Sequence, residues 1–202
     1  MSLTKLSSTN NQHGFTIVEI LIVITVSVIL GTFAFRFMSS SFDQYLNLQQ
    51  SGTQFGGMAL ESEKVGAVLR GVTGINSATA TDLQIYGYFS PNDTYVSLIH
   101  YYISGTKLLC DVTHMTANPP IGTTIPSSKL TYTILSNYYP VNGVNLFNYL
   151  DDTGAVLPFP ITDLNSINGI TVTLSVPTNG PSGNSYSTLS TTVSLRNRKT
   201  NL

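Results

Sequence analysis

An abrupt apolar run, FTIVEILIVITVSVILGTFAF, fills residues 15–35 behind the polar residues 1–13 and Gly14. As a helix these 21 residues extend about 31 Å at ~1.5 Å per residue, close to the ~30 Å hydrocarbon thickness of a bilayer. Thr25, Ser27 and Thr32 do not spoil the span, because a helical hydroxyl can bond back to a carbonyl one turn earlier. Arg36 ends the stretch and can snorkel outward. The apolar core of a cleaved signal peptide is only about 7–15 residues long and leads to a small-residue cleavage site. The simplest reading is therefore an uncleaved signal anchor.

Glu19 argues for more than an anchor. A carboxylate near the start of a membrane helix carries a desolvation cost, about 2.5–3.5 kcal/mol at mid-bilayer and less near the edge. An ionisable residue there points to a function and to a partner of opposite charge. Cleavage between Gly14 and Phe15 would create an α-amino group, largely cationic at neutral pH with an unperturbed pKa of about 7.7–8. Glu19, four residues on, shares its helix face. The carboxylate could pair with its own amino terminus or with that of a neighbouring subunit, while apolar helices pack into a common core.

Gly14-Phe15-Thr16-Ile17-Val18-Glu19-Ile20-Leu21 resembles the processing and methylation site of type IV prepilins and type II secretion pseudopilins. The resemblance implies cleavage after Gly14 by a membrane prepilin peptidase, N-methylation of Phe15, and a role for Glu19 in docking into a growing filament. The leader carries only Lys5 and His13 as basic groups, so orientation rests on the cleavage motif more than on flanking charge. Across the mature chain the resemblance is greatest to minor pilins and J-type minor pseudopilins. It is carried by Arg36, Leu69-Arg70, Tyr101-Tyr102-Ile103-Ser104-Gly105 before Leu108, and the terminal Val193-Ser194-Leu195-Arg196-Asn197.

The charged fraction is 9%, against about a quarter in ordinary domains, and Ser, Thr and Asn supply the polar surface instead. A net charge of −1 argues against nucleic acid or anionic lipid as a bulk electrostatic partner. The basic run Arg196-Asn197-Arg198-Lys199 leaves local DNA-phosphate contacts conceivable, with a solvated terminal run as the plainer reading. Cys110 is the only cysteine, which excludes an intrachain disulfide.

Beyond the membrane run the helix is expected to continue. Phe42, Tyr45, Leu46 and Leu48 form one apolar group, and Phe55, Met58, Ala59, Ser62, Val65 and Leu69 form a second at three- and four-residue spacing. Gly52, Gly56 and Gly57 interrupt it, each at about 1 kcal/mol relative to Ala, so a kink or local melting is expected there. The glycines between Gly71 and Gly74 should end the helix. Residues 83–88, 95–103, 107–112 and 129–135 read as strands, with a hairpin turn at Ser104-Gly105-Thr106. Residues 170–176 and 189–195 alternate apolar and hydroxyl-bearing side chains, and a polar loop over residues 178–184 joins them. Residues 114–128 and 136–166 should be irregular, with Asp151-Asp152-Thr153-Gly154 turning between residues 147–150 and 155–157. The layout is α+β: a long N-terminal transmembrane and stalk helix packed on an antiparallel β-sheet head, as in the pilin fold. The bounds read as leader 1–14, transmembrane helix 15–37, helical stalk 38–73 and β-rich head 74–202.

Asp152-Thr153-Gly154 matches the tripeptide of aspartic proteases, where two such aspartates share a proton. A single copy would require a dimer, and the same residues are good turn formers. His100, Cys110, Asp111 and His114 form no compact metal-ligand pair; a buried free cysteine and hydrogen-bonded or exposed histidines are expected. Asp151 and Asp152 lack the alternating acidic pattern of an EF-hand loop. The eleven tyrosines could form an adhesive face or pack in the sheets. No catalytic residue, metal or cofactor is assigned. The expected role is a structural subunit of a type IV pilus or related pseudopilus, a minor pilin. The implied partners are prepilin peptidase, other pilin subunits, the inner-membrane assembly platform and, before assembly, membrane lipid. The expected location is the plasma membrane, N-terminus cytoplasmic, and then a surface or periplasmic filament. The alternative is an unprocessed, membrane-anchored extracellular binding module.

Overall fold

The computed structural model describes residues 15–90, 92–178 and 185–195. The leader, Gly14, most of the loop over residues 178–184 and the basic run from Arg196 to Lys199 therefore lie outside the described residues. The chain divides into two compact units, Met1–Leu48 and Gln49–Leu202. Helix α1 (Ile17–Arg70) contributes to both.

In the first unit α1 is fully exposed and apolar. It is the one helix among the described residues that is long and apolar enough to cross a membrane. Thr25 donates its hydroxyl to the Leu21 carbonyl, and Thr32 donates to the Val28 carbonyl, both at 2.8 Å. The back-bonding expected from the sequence thus removes the polar penalty of these hydroxyls.

In the second unit α1 passes through Gly52, Gly56 and Gly57 without a break, so the local melting expected there does not occur. Packing rather than propensity supplies most helical stability in proteins. Immediately downstream, Met58, Ser62, Val65, Gly66 and Leu69 form a buried stripe that holds this part of the helix. The Gly71 N–H closes the last turn onto the Val68 carbonyl at 3.0 Å. Strand β1 (Val72–Ala78) follows at once, inside the region read from the sequence as the helix end.

β1 is the strand that sequence reading missed. Its composition, VTGINSA, lacks clear alternation, and it forms by pairing with β2 through two register shifts. An added Cβ at Gly74 would lie 3.4 Å from Tyr86 Cδ2, so the tyrosine ring covers the strand where the glycine has no side chain. The remaining strands are β2 (Asp82–Gly87), β3 (Ser97–Ser104), β4 (Lys107–His114), β5 (Leu130–Leu135), β6 (Phe147–Leu150), β7 (Gly169–Thr178) and β8 (Ser185–Ser194). They form two antiparallel sheets rather than one, ordered β1-β2-β3-β4-β5 and β6-β7-β8. The architecture is α+β, as expected.

One core joins both sheets to the helical stripe. Leu83, Ile85, Ile99, Tyr101, Leu108 and Cys110 come from the first sheet, and Phe147, Tyr149, Ile170, Val172, Leu174 and Val193 from the second. The sheets are stitched together directly: Tyr149 donates its hydroxyl to the Thr79 carbonyl at 2.9 Å, and the Phe147 N–H bonds the Ala80 carbonyl at 3.0 Å. β8 crosses α1, where Ser62 Oγ and Thr191 Oγ1 pair at 2.6 Å.

β7 departs from the one-sided burial its alternation suggests. Thr173 and Ser175 are buried along with Val172, Leu174 and Val176, because residues 138–146 cover the hydroxyl face. The Ser175 hydroxyl bonds the Tyr139 carbonyl, and the Tyr139 N–H bonds the Ser175 carbonyl. The segment 136–166 forms the turn expected between residues 147–150 and 155–157 and is otherwise more regular than read from the sequence. It contains β6 and a 3-10 turn at Leu164–Ser166, with Val156 bridging back to Leu150.

Candidate functional site

The N-terminal end of α1 is built by a local hydrogen-bond pattern. Thr16 precedes the first helical residue, and its Oγ1 accepts the Glu19 N–H at 3.2 Å while its carbonyl accepts the Ile20 N–H at 3.2 Å. Thr16 is thus the helix cap, satisfying a donor that the first turn would otherwise leave unpaired. The Thr16-x-x-Glu19 spacing is that of a capping box, a signal readable in the sequence to which the reading above attached no role. Phe15 lies just outside the helix and is 77% exposed. Glu19 occupies the first turn, where the positive end of the helix dipole favours a carboxylate. Around it Ile17, Val18, Ile20 and Leu21 are all exposed, so the carboxylate stands at the head of an apolar surface. Gly14, the remaining member of the motif, lies outside the described residues.

The second unit holds the other candidates: His100 and Asp111 face each other across β3 and β4, while Asp151 and Asp152 lie on a separate turn. Asp151 Oδ1 accepts the Thr153 N–H at 2.9 Å, the Thr153 hydroxyl at 2.7 Å and the Ala155 N–H at 2.8 Å. These bonds hold its carboxyl below the usual carboxylate range, the Thr153 hydroxyl contributing most. Gly154 takes φ +86°, a conformation that glycine adopts without steric cost. Asp152, the aspartate of the tripeptide, is exposed on this turn. The turn chemistry accounts for the Asp-Thr-Gly sequence without a catalytic role.

His100 Nε2 lies 2.6 Å from Asp82 Oδ2 and its ring stacks on Tyr102 at 4.7 Å. His114 lies at the end of β4, with Nδ1 3.1 Å from the Ser97 hydroxyl. Cys110 is a free, fully buried thiol against Tyr101, and burial pushes its pKa up to about 12. Cys110 and His114 both lie within β4, whose ladder runs two residues past the strand end at Val112 read from the sequence. Among the described residues no three His, Cys, Asp or Glu side chains cluster as metal ligands would.

Asp111, considered in the sequence only among possible metal ligands, is 4% exposed on the outer face of β4. Lys129 Nζ lies 2.7 Å from Oδ2 and the Thr131 hydroxyl donates to Oδ1 at 2.6 Å. Burial raises its pKa, but the bonds from Lys129 and Thr131 more than reverse this, leaving the carboxyl below the ordinary range. The alternation of β4 puts Asp111 on the solvent side; only the register with β5 shows that Lys129 and Thr131 cover it.

Residues 9–35 match the model of the prokaryotic N-terminal methylation motif. The match covers Gly14, Phe15, Glu19 and the apolar run and supports a type IV pilin-like prepilin, whose kind are structural subunits. No curated protein matches the chain.

Proposed function

We propose that the chain is a minor subunit of a type IV pilus or related pseudopilus, cut after Gly14 and assembled through residues 15–37. The observation that carries this reading is the methylation-motif match over residues 9–35 on a helix whose N-terminal, membrane-length apolar stretch is wholly exposed. Such a surface is stable only in lipid or against other helices. Prepilin peptidase acts on the Gly14–Phe15 bond, Phe15 becomes the methylated N-terminus, and the assembly platform passes the subunit from membrane lipid to neighbouring pilins. Residues 1–14 serve as the leader, residues 38–70 carry the helix into the head, and the β-rich remainder lies outside the cytoplasm.

The freed amino group and Glu19 supply the mechanism. Among the described residues the Glu19 carboxylate makes no hydrogen bond or ion pair, so it stays available for a cation. In a low-dielectric filament core a paired cation stabilises it far more than in water. Mass analysis of the N-terminal peptide from native membranes tests the reading. A peptide beginning at N-methylated Phe15 is expected; a chain retaining Met1 would overturn it in favour of a permanent anchor.

A further inference from the structure

The two sheets have four outer strands, and three of them are blunted. β1 carries two register shifts and lies against the Leu164–Ser166 turn. β5 is six residues long, follows the ion-paired Lys129, and pairs across an irregularity at Leu108 and Leu109. β6 is four residues long, and the chain returns over it: the Leu157 N–H bonds the Tyr149 carbonyl at 2.8 Å and Val156 bridges Leu150. Bulges, shortness, charge and coverage are the devices that keep sheet edges from recruiting strands.

Among the described residues β8 has none of them. Its ten residues, SYSTLSTTVS, pair with β7 in continuous register and include no charge and no proline. The Leu195 N–H bonds the Asn168 carbonyl, which fixes the phase: odd-numbered residues of β8 bond towards β7 and even-numbered ones face away. Tyr186, Thr188, Ser190, Thr192 and Ser194 therefore direct their N–H and C=O groups to the open edge, and no described residue pairs with them.

A cation stands beside this edge. Arg70 lines a cleft of about 240 Å³ with Thr192, Val193 and Ser194. Its Nη1 lies 3.8 Å from the Cβ position of Gly66, the point that Thr191 and Val193 approach at 3.5 and 3.6 Å. Arg70 makes no ion pair among the described residues. Asp151 and Asp152 line a second cleft that shares Thr192, Val193 and Ser194 with the Arg70 cleft, so an incoming carboxylate is favoured next to Arg70.

We propose that the β8 edge, with Arg70, is a strand-addition site for an extended segment of a partner protein that carries a carboxylate. The backbone ladder supplies affinity, and Arg70 selects the acid and fixes the register. Hydroxyl-bearing side chains suit the segment, because the outer face of β8 already pairs such groups: Thr171 with Thr192 and Thr173 with Ser190, each at 2.9 Å. The site is independent of whether residues 1–14 are removed.

The test uses the full chain in detergent micelles and a labelled peptide of alternating threonine and valine ending in glutamate. Two control peptides replace the glutamate by glutamine or N-methylate alternate amides. Binding is read by fluorescence anisotropy and by hydrogen exchange at Thr188, Ser190 and Thr192. The glutamate peptide is expected to bind and protect these amides, and the N-methylated peptide to fail. Arg70→Gln should weaken binding about tenfold and abolish the preference for glutamate over glutamine. Ser190→Pro, which removes an outward N–H that the β7 ladder does not use, should prevent binding, whereas Ser190→Ala should permit it. The proposal is overturned by no binding, by equal binding of the N-methylated peptide, or by Arg70→Gln having no effect. It is equally overturned if these amides are already protected without peptide, which would mean that the chain's own tail or a second copy holds the edge.

Discussion

Gly66 is buried near the C-terminal end of α1, facing β8, and substitution there measures how closely helix and strand approach. A Cβ at this position would meet Thr191 Cγ2 at 3.5 Å, Val193 Cγ2 at 3.6 Å and Arg70 Nη1 at 3.8 Å. These are ordinary contact distances, so alanine fits without displacing either sheet residue. Gly66→Ala should then gain the helix-propensity difference, about 0.8–1 kcal/mol. For a unit of this size such a gain raises Tm by about 2–4 °C. Gly66→Leu shares the propensity gain but drives further carbons into Thr191 and Val193. Overpacking of that kind costs about 1–3 kcal/mol, which places the leucine variant below the alanine variant by that amount. Gly56→Ala, where nothing lies within 4 Å, supplies the propensity term without the contact. Guanidinium and thermal unfolding of the full chain in detergent, followed by near-ultraviolet tyrosine dichroism, gives all three values. A fall in stability for Gly66→Ala with a rise for Gly56→Ala would refute the argument, because β8 would then lie closer to the helix than these distances allow.

Asp111 contributes stability above the unfolded carboxyl pKa of about 3.9, lost as pH falls through its lower folded value; Asp111→Asn should cost about 1–3 kcal/mol at neutral pH and flatten the acid limb of the stability profile. Cys110, with its thiol pushed up to about 12 and no exposure, should resist alkylation at pH 8 in the folded chain and react fully in guanidinium; rapid labelling without denaturant would contradict the core described for β4. Gly14→Ala should leave an unprocessed precursor on immunoblots of membranes. Glu19→Ala should permit cleavage yet impair entry into filaments, and normal incorporation in sheared filament fractions would remove Glu19 from the mechanism.

Residues with strong local signals were legible without coordinates. The apolar run with its abrupt polar boundary, the Gly14-Phe15 and Glu19 spacing, the helical stripe from Met58 to Leu69, and the strands from Asp82 onwards each depend on near neighbours. Periodicity and motif spacing record such neighbours directly. Thr16 was equally legible, since capping is set by four consecutive residues. Other features depend on which distant segments meet. β1 exists because β2 offers it a ladder despite Gly74, and the glycine-bearing helix persists because its next turns are packed. Asp111 is buried because Lys129, just before β5, and Thr131, within it, arrive over it. Division of the strands into two sheets, burial of the hydroxyl face of β7, and the place of β8 as an outer strand beside Arg70 are likewise long-range outcomes. A single strand's alternation states which side chains share a face, but burial of that face is decided by whatever packs over it, and only the tertiary structure contains that.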